Sequence, residues 1–165
     1  MITFMVPGLP VGKQRPRLTR RGKFTRVYTP EKTKEYERRV REAFLLRCIH
    51  TDLPLSGPLR LDVLAVFPRT KALLKQYKDG SYKHPTHRIL HAVKPDHDNV
   101  RKCVSDGLDD YIEGGDSRIV GGATLKVYAR IDESPATFIC IRPVDDVVSL
   151  HAELFSMGQD FGTTL

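Results

Sequence analysis

The order in which apolar periodicity changes along this chain predicts an α+β fold, a mixed or antiparallel sheet of about four strands covered by two main helices. Twofold alternation marks Ile2–Val6, Leu59–Phe67, Ala123–Ile131 and Phe138–Arg142, and 3.6-residue spacing marks two stretches between them. Read in sequence, that is strand, helix, strand, helix, strand, strand, an order that suits an antiparallel or mixed sheet better than a doubly wound parallel one. With 165 residues the chain fits one domain, taken here as residues 1–143, followed by a C-terminal extension over residues 144–165.

Each element has a local cause. Ile2, Phe4 and Val6 alternate with their neighbours and stop at Pro7-Gly8. A loop is expected next, because Lys13 to Arg26 carries Lys13, Arg15, Arg17, Arg20, Arg21, Lys23 and Arg26 without an acid, and Pro16 and Gly22 interrupt any helix. Thr29-Pro30 reads as an N-cap followed by proline in the first helical position. Tyr36, Val40, Ala43, Phe44 and Cys48 then share one helical face, which carries the helix to about Ile49. Leu59 to Phe67 is apolar on both sides, the mark of a central strand, and Pro68 ends it.

Arg69 to Lys94 holds seven Lys or Arg, three His and one acid, and is expected to form a binding loop with a helical turn near Ala72–Tyr77. Asp98 is placed to open a second helix through about Ile112, with Val100, Cys103, Val104, Gly107, Leu108 and Tyr111 as its buried stripe. A turn at Asp132–Pro135 should join the last two strands as partners. The tail from Asp145 offers a further helical face in Val147, Leu150, Leu154 and Met157, or simply frays. Cys48, Cys103 and Cys140 form no CxxC pair and fall on apolar positions, so reduced core thiols are expected. No apolar run reaches the ~20 residues of a membrane span, and Met1–Val6 lacks a signal-peptide layout, so a cytoplasmic protein is expected.

The charge distribution points to the chemistry. Asp96, Asp98, Asp106, Asp109, Asp110, Glu113 and Asp116 crowd into 21 positions against only Arg101 and Lys102, a local net of −5 within an overall +7. The remaining 144 residues therefore carry +12. A carboxylate cluster inside a basic protein suits a magnesium-dependent enzyme acting on nucleic acid, in which Lys and Arg gather the polyanion and carboxylate oxygens hold the ion. In an extended approach to the second helix, Asp96 and Asp98 would face the same way and serve one ion. Asp is also the natural cap and loop residue, which is the plainer account of such a pair. Asp98, Lys102 and Asp106 follow one helical edge at i, i+4 and i+8, either beside a metal or as an ordinary intrahelical ion pair. Asp116 follows Gly114-Gly115, whose turn can bring it back toward the helix start.

Other metal readings fit less well. His84, His87 and His91 straddle Pro85 and lack the cysteine pair that would complete a zinc site. An EF-hand beginning at Asp96 would place Arg101 at its glycine and Gly107 at its glutamate. Pro95-Asp96 with Asp116-Ser117-Arg118 mimics a PD-D/ExK nuclease with Arg in place of Lys, which also implies a magnesium nuclease. The alternative from another class is a non-catalytic or architectural DNA-binding protein whose acidic cluster is a solvated helix end.

Lys94-Pro95-Asp96-His97-Asp98-Asn99-Val100-Arg101-Lys102, continuing through Asp106-Gly107-Leu108 to Asp116-Ser117-Arg118-Ile119, resembles the RusA-type Holliday junction resolvases and their phage-encoded relatives. The opening Val6-Pro-Gly and Gly12-Lys-Gln-Arg-Pro-Arg, with Tyr28-Thr-Pro, is similar to the family's beginning. The resemblance implies a RusA-like fold and a Mg²⁺-dependent endodeoxyribonuclease that resolves four-way DNA junctions by paired nicks. It gives Asp96, Asp98 and Asp116 the places of the metal-binding catalytic carboxylates, Lys102 that of the catalytic lysine, and Asn99 and Asp106 supporting places. Gly115 stands where many relatives carry a second aspartate, and the chain runs past Arg142 beyond the family's usual end. DNA is expected along Lys13, Arg15, Arg17, Arg20, Arg21 and Lys94 by backbone contacts. A C2 homodimer suits a junction of approximate twofold symmetry, with no membrane and no nucleotide cofactor expected.

Overall fold

The computed structural model describes residues 1–21 and 24–144. In chain order it contains β1 (Ile2–Pro7), β2 (Arg17–Arg21), β3 (Phe24–Tyr28), α1 (Glu31–Arg47), β4 (Leu59–Phe67), β5 (Ile89–Leu90) and α2 (His97–Leu108). Single 3₁₀ turns at Asp109–Tyr111 and Gly115–Arg118 lead to β6 (Ile119–Gly121), β7 (Thr124–Tyr128) and β8 (Ala136–Pro143). The architecture is α+β, as expected, and its main sheet has six strands rather than four.

β4 is the axis of that sheet because both of its faces are apolar. It is flanked by β8 antiparallel on one side and by β7 parallel on the other, giving the order β1-β8-β4-β7-β5, with β6 also parallel to β4. The expected β7–β8 hairpin therefore does not form. The seven residues 129–135 cross the end of β4 instead, and each strand gains the central strand as its partner. Gly122 makes the step from β6 to β7: at φ +126° its backbone passes so close to β4 that a Cβ would lie 1.8 Å from the Leu61 carbonyl oxygen.

One sheet face holds the main core. Leu59, Leu61, Val63, Ala65 and Phe67 of β4 meet Phe4 and Val6, Ile139 and Ile141, and the helical stripes Tyr36/Val40/Phe44/Cys48 and Val100/Cys103/Val104/Leu108. The helices come together at Gly107, where a Cβ would stand 3.0 Å from Val40. Cys48 and Cys103 are free, buried core thiols, as expected, with burial pushing the Cys103 thiol up to about 12 and raising Cys48, whereas Cys140 is free but only half-buried. The opposite sheet face carries a smaller cluster of Val66, Val127 and Ala129.

Several boundaries differ from the sequence reading. Pro30 is itself the N-cap of α1, in an extended conformation, and the helix ends at Arg47. α2 starts at His97 with Asp96 as its cap, so Asp98 already lies in the first turn. The basic segment is not simply a loop, since β2 and β3 pair as an antiparallel hairpin apart from the main sheet. Phe24, Thr25, Val27 and Tyr28 supply the strand-forming side of that sequence. In place of a helical turn, Lys71–Leu74 forms turns and Gln76 bridges Tyr82. The proposed helical face at Val147–Met157 lies outside the described residues.

Two polar contacts tie distant parts of the chain together. The Tyr36 hydroxyl and Thr137 Oγ1 are 2.5 Å apart with both residues buried. Tyr36→Phe is expected to destabilise the fold by about 1–3 kcal/mol, because it orphans a buried hydroxyl; chemical denaturation checks this. At the sheet edge, Arg88 hydrogen-bonds Glu133, which also accepts the Arg130 amide, and these bonds hold the Glu133 carboxyl down at about 2 against an ordinary 4.5. The stabilisation is complete above about pH 4.5 and lost as pH falls through about 2. The stability gap between the parental protein and Glu133→Gln should therefore shrink steadily across that window in acid titrations.

Candidate active site

Three structural features bring the acidic residues together. α2 presents Asp96 at its cap and Asp98 in its first turn, both exposed. Neither carboxylate has a side-chain partner among the described residues, and the positive end of the helix dipole favours negative charge there. Because His97 and Asp98 are already helical, the two carboxylates are not alternate residues of an extended strand, contrary to the expectation. They still line one cleft of about 840 Å³ with His91, Lys94, His97 and Lys126.

Asp116 returns to α2 through the 3₁₀ turns. Leu55 accepts the Glu113 amide and donates to the Tyr111 carbonyl, both at 2.8 Å, which seats this segment beside the chain leading to β4. The Asp116 amide donates to Asp109 Oδ1 at 2.8 Å. Gly115, at φ +72°, explains its own identity: a Cβ there would lie 2.7 Å from the same Asp109 oxygen. The result places Asp98, Lys102 and Asp116 in one cleft of about 240 Å³ with Arg101, Ser105 and Ile119.

Asp98 is thus common to two clefts, one shared with Asp96 and the other with Asp116. Among the described residues no three His, Cys, Asp or Glu side chains converge into a ready-made metal cage. The donors nevertheless fit Mg²⁺ in type, being hard, exposed oxygens, and that ion keeps several waters and takes only one or two carboxylates. His84, His87 and His91 form no zinc site: the first two are exposed and His91 is stacked on Phe67 with ring centres 4.0 Å apart. Arg118, the lysine surrogate of the PD-D/ExK reading, donates to the Glu113 carbonyl at 3.2 Å.

Lys102 stands between two acids, its Nζ 3.4 Å from Asp106 and 3.8 Å from Asp116. Asp106 is also paired with Lys13, whose ammonium lies 2.6 Å from Glu37. Burial alone would lower the Lys13 pKa, but its bonds to Asp106 and Glu37 outweigh that and raise it. Lys13, expected at the DNA, is engaged inside the protein and braces the N-terminal loop against both helices. Its amide donates to the Asn99 carbonyl at 2.7 Å, and Gly12 packs where a Cβ would meet Pro95 at 2.6 Å. Lys94 and Arg15 are exposed. Arg17, Arg20 and Arg21 lie on β2 of the hairpin. Arg101 is structural, donating to the carbonyls of Leu61 and Gly121.

Sequence reasoning missed Lys126, which no motif marks. Its Nζ donates to the carbonyls of Val93 and Pro95, each at 2.6 Å, directly before Asp96.

Comparison with known proteins shows what the chain resembles. The family model for endodeoxyribonuclease RusA matches residues 7–142. The uncharacterized protein YqaN of Bacillus subtilis (strain 168) is 31% identical over 143 residues, covering 87% of this chain and 96% of that protein.

Removal of the Lys13 ammonium in Lys13→Met should cost about 1–3 kcal/mol of folding stability, since it leaves two half-buried carboxylates facing each other. The exposed Arg15→Ala should cost less than about 0.5 kcal/mol, and urea denaturation of the two variants side by side checks the contrast.

Proposed function

The chain belongs to the RusA endodeoxyribonuclease family, and we propose that it is a Mg²⁺-dependent, structure-selective nuclease that resolves four-way DNA junctions by paired nicks. The observation that carries this reading is the shared cleft of Asp98, Lys102 and Asp116, continued by Asp96 on the other side of Asp98.

Asp96, Asp98 and Asp116 would hold the ion. When bound, Mg²⁺ polarises the scissile phosphate and lowers the pKa of the attacking water. The protein's own part is to orient and to stabilise charge. Lys102, held at the cleft by Asp106 and Asp116, offers its ammonium to the charge that develops on the phosphoryl oxygens or the departing 3′ oxygen. Asp106 positions Lys102, and Asn99 fixes the N-terminal loop through its carbonyl. Arg15, Arg17, Arg20 and Arg21, with Lys94, would track the DNA backbone, and Lys13 would contribute through its field rather than by direct contact. A C2 homodimer would present two such clefts to the two symmetric strands of a junction. Such a substrate places the protein in the cytoplasm of a bacterial or phage-infected cell.

The test is cleavage of a four-way junction in Mg²⁺, compared with chelator and with a linear duplex. Asp98→Asn and Asp116→Asn should abolish cleavage while junction binding in chelator stays at or above the parental level. Lys102→Ala should lower the single-turnover rate on the order of 10²-fold, well beyond any loss in binding. Equal cleavage of linear duplex, or activity that survives the chelator, would contradict the reading.

A further inference from the structure

We propose that Lys126 is a positioning residue that sets the Asp96 carboxylate in place by clamping the peptide immediately before it. The proposal deepens the metal-site reading above and rests on it.

Lys126 lies on β7, opposite Ala65 of β4, and is half-buried on the sheet face that α2 covers. Three bonds from this one residue hold the run leading into α2. Its carbonyl accepts the His91 amide at 3.0 Å, and its ammonium donates to the carbonyls of Val93 and Pro95, each at 2.6 Å. These are alternate residues, 91, 93 and 95, of the segment that ends at Asp96. Among the described residues no other side chain donates to the backbone of residues 92–95. Bonds from an ammonium to amide carbonyls are charge-assisted and about twice as strong as neutral ones.

The segment has a second anchor at its start, where the buried His91 ring packs against Phe67 and Tyr128, with ring centres 4.0 and 4.6 Å away. Burial and the nearby Lys126 charge both lower the His91 pKa. Asp96 itself has no side-chain hydrogen bond, so its placement depends on the backbone on either side. α2 secures the following side, and Lys126 secures the preceding one. A carboxylate held this way is preorganised for a cation although nothing touches its oxygens.

A charge effect and a positioning effect at Lys126 have opposite signs, which makes the proposal testable. Lys126 shares its cleft with Asp96 and Asp98. If it acted only through its charge, removing it would tighten cation binding. If it positions Asp96, removing it loosens binding, by about tenfold on the scale of outer-shell substitutions at metal sites.

The experiment measures Mn²⁺ binding to the full DNA-free chain from the electron paramagnetic resonance signal of free Mn²⁺, for the parental protein, Lys126→Met, Lys126→Arg and Asp96→Asn. The expected result is weaker binding for Lys126→Met while its circular dichroism spectrum stays that of the folded parental chain, and recovery of most of the affinity in Lys126→Arg. Lys126→Gln, which keeps an amide donor but no charge, serves if the Met variant does not fold, and it should also bind more weakly. Parental or tighter Mn²⁺ binding in Lys126→Met or Lys126→Gln, with Asp96→Asn impaired, overturns the clamp and leaves the metal site standing. Parental affinity in Asp96→Asn takes Asp96 out of the metal site and overturns the clamp with it, and no binding by the parental chain removes the metal site and the clamp together.

Discussion

The Asp106 carboxylate is shared by two lysines, and the arrangement of the site depends on that sharing. One oxygen pairs with Lys13 and the other with Lys102, so a chain of alternating charge runs from Glu37 on α1 through Lys13, Asp106 and Lys102 to Asp116. Its inner half is about four-fifths buried and its outer half is open, with the Lys102 side chain 58% exposed. The inner pairs therefore contribute to stability, because breaking them strands charge in a low-dielectric setting. The outer pairs are screened and weak, and their effect is direction: they aim an ammonium into the cleft between Asp98 and Asp116.

Around that chain the fold supplies rigid supports. β4 takes β7 and β8 on its two sides, so α2 lies on a sheet whose central register is fixed by burial on both faces. The acidic residues then fall at backbone positions rather than in a buried pocket: a helix cap, a first helical turn and a 3₁₀ turn. Exposed carboxylates on a stiff scaffold are accessible to a large polyanion and its counter-ion. The +12 carried outside the acidic stretch offsets the repulsion that this cluster would present to DNA.

Much of this was legible in the sequence where local pattern decides the outcome. The buried stripes of α1 and α2 appear as 3.6-residue spacing, and β4 declares itself central by being apolar on both faces. The family motif from Lys94 to Ile119 named the acidic residues and Lys102 together, and the i, i+4 pair of Lys102 with Asp106 forms as a helix requires. What escaped depends on partners far apart in sequence. β7 and β8 are neighbours in the chain, yet each prefers β4, a choice set by sheet-wide burial. β5 is two residues long and has too little pattern to be seen. The return of Asp116 depends on hydrogen bonds to Leu55, and the clamp on Asp96 comes from Lys126, 30 residues later. A lysine in an alternating strand looks like a solvated position until the tertiary structure brings two carbonyls to it.

The central claim is that Asp96, Asp98 and Asp116 line one metal-holding trough along α2, and locating the ion tests it most directly. Crystals of the chain grown with Mn²⁺ and a cleavage-resistant four-way junction would give the metal position from anomalous scattering. The account predicts manganese in the trough, ligated by Asp98 together with Asp96 or Asp116 and facing a junction phosphate. Manganese seated only elsewhere on the protein, with the trough holding DNA but no metal, would contradict it.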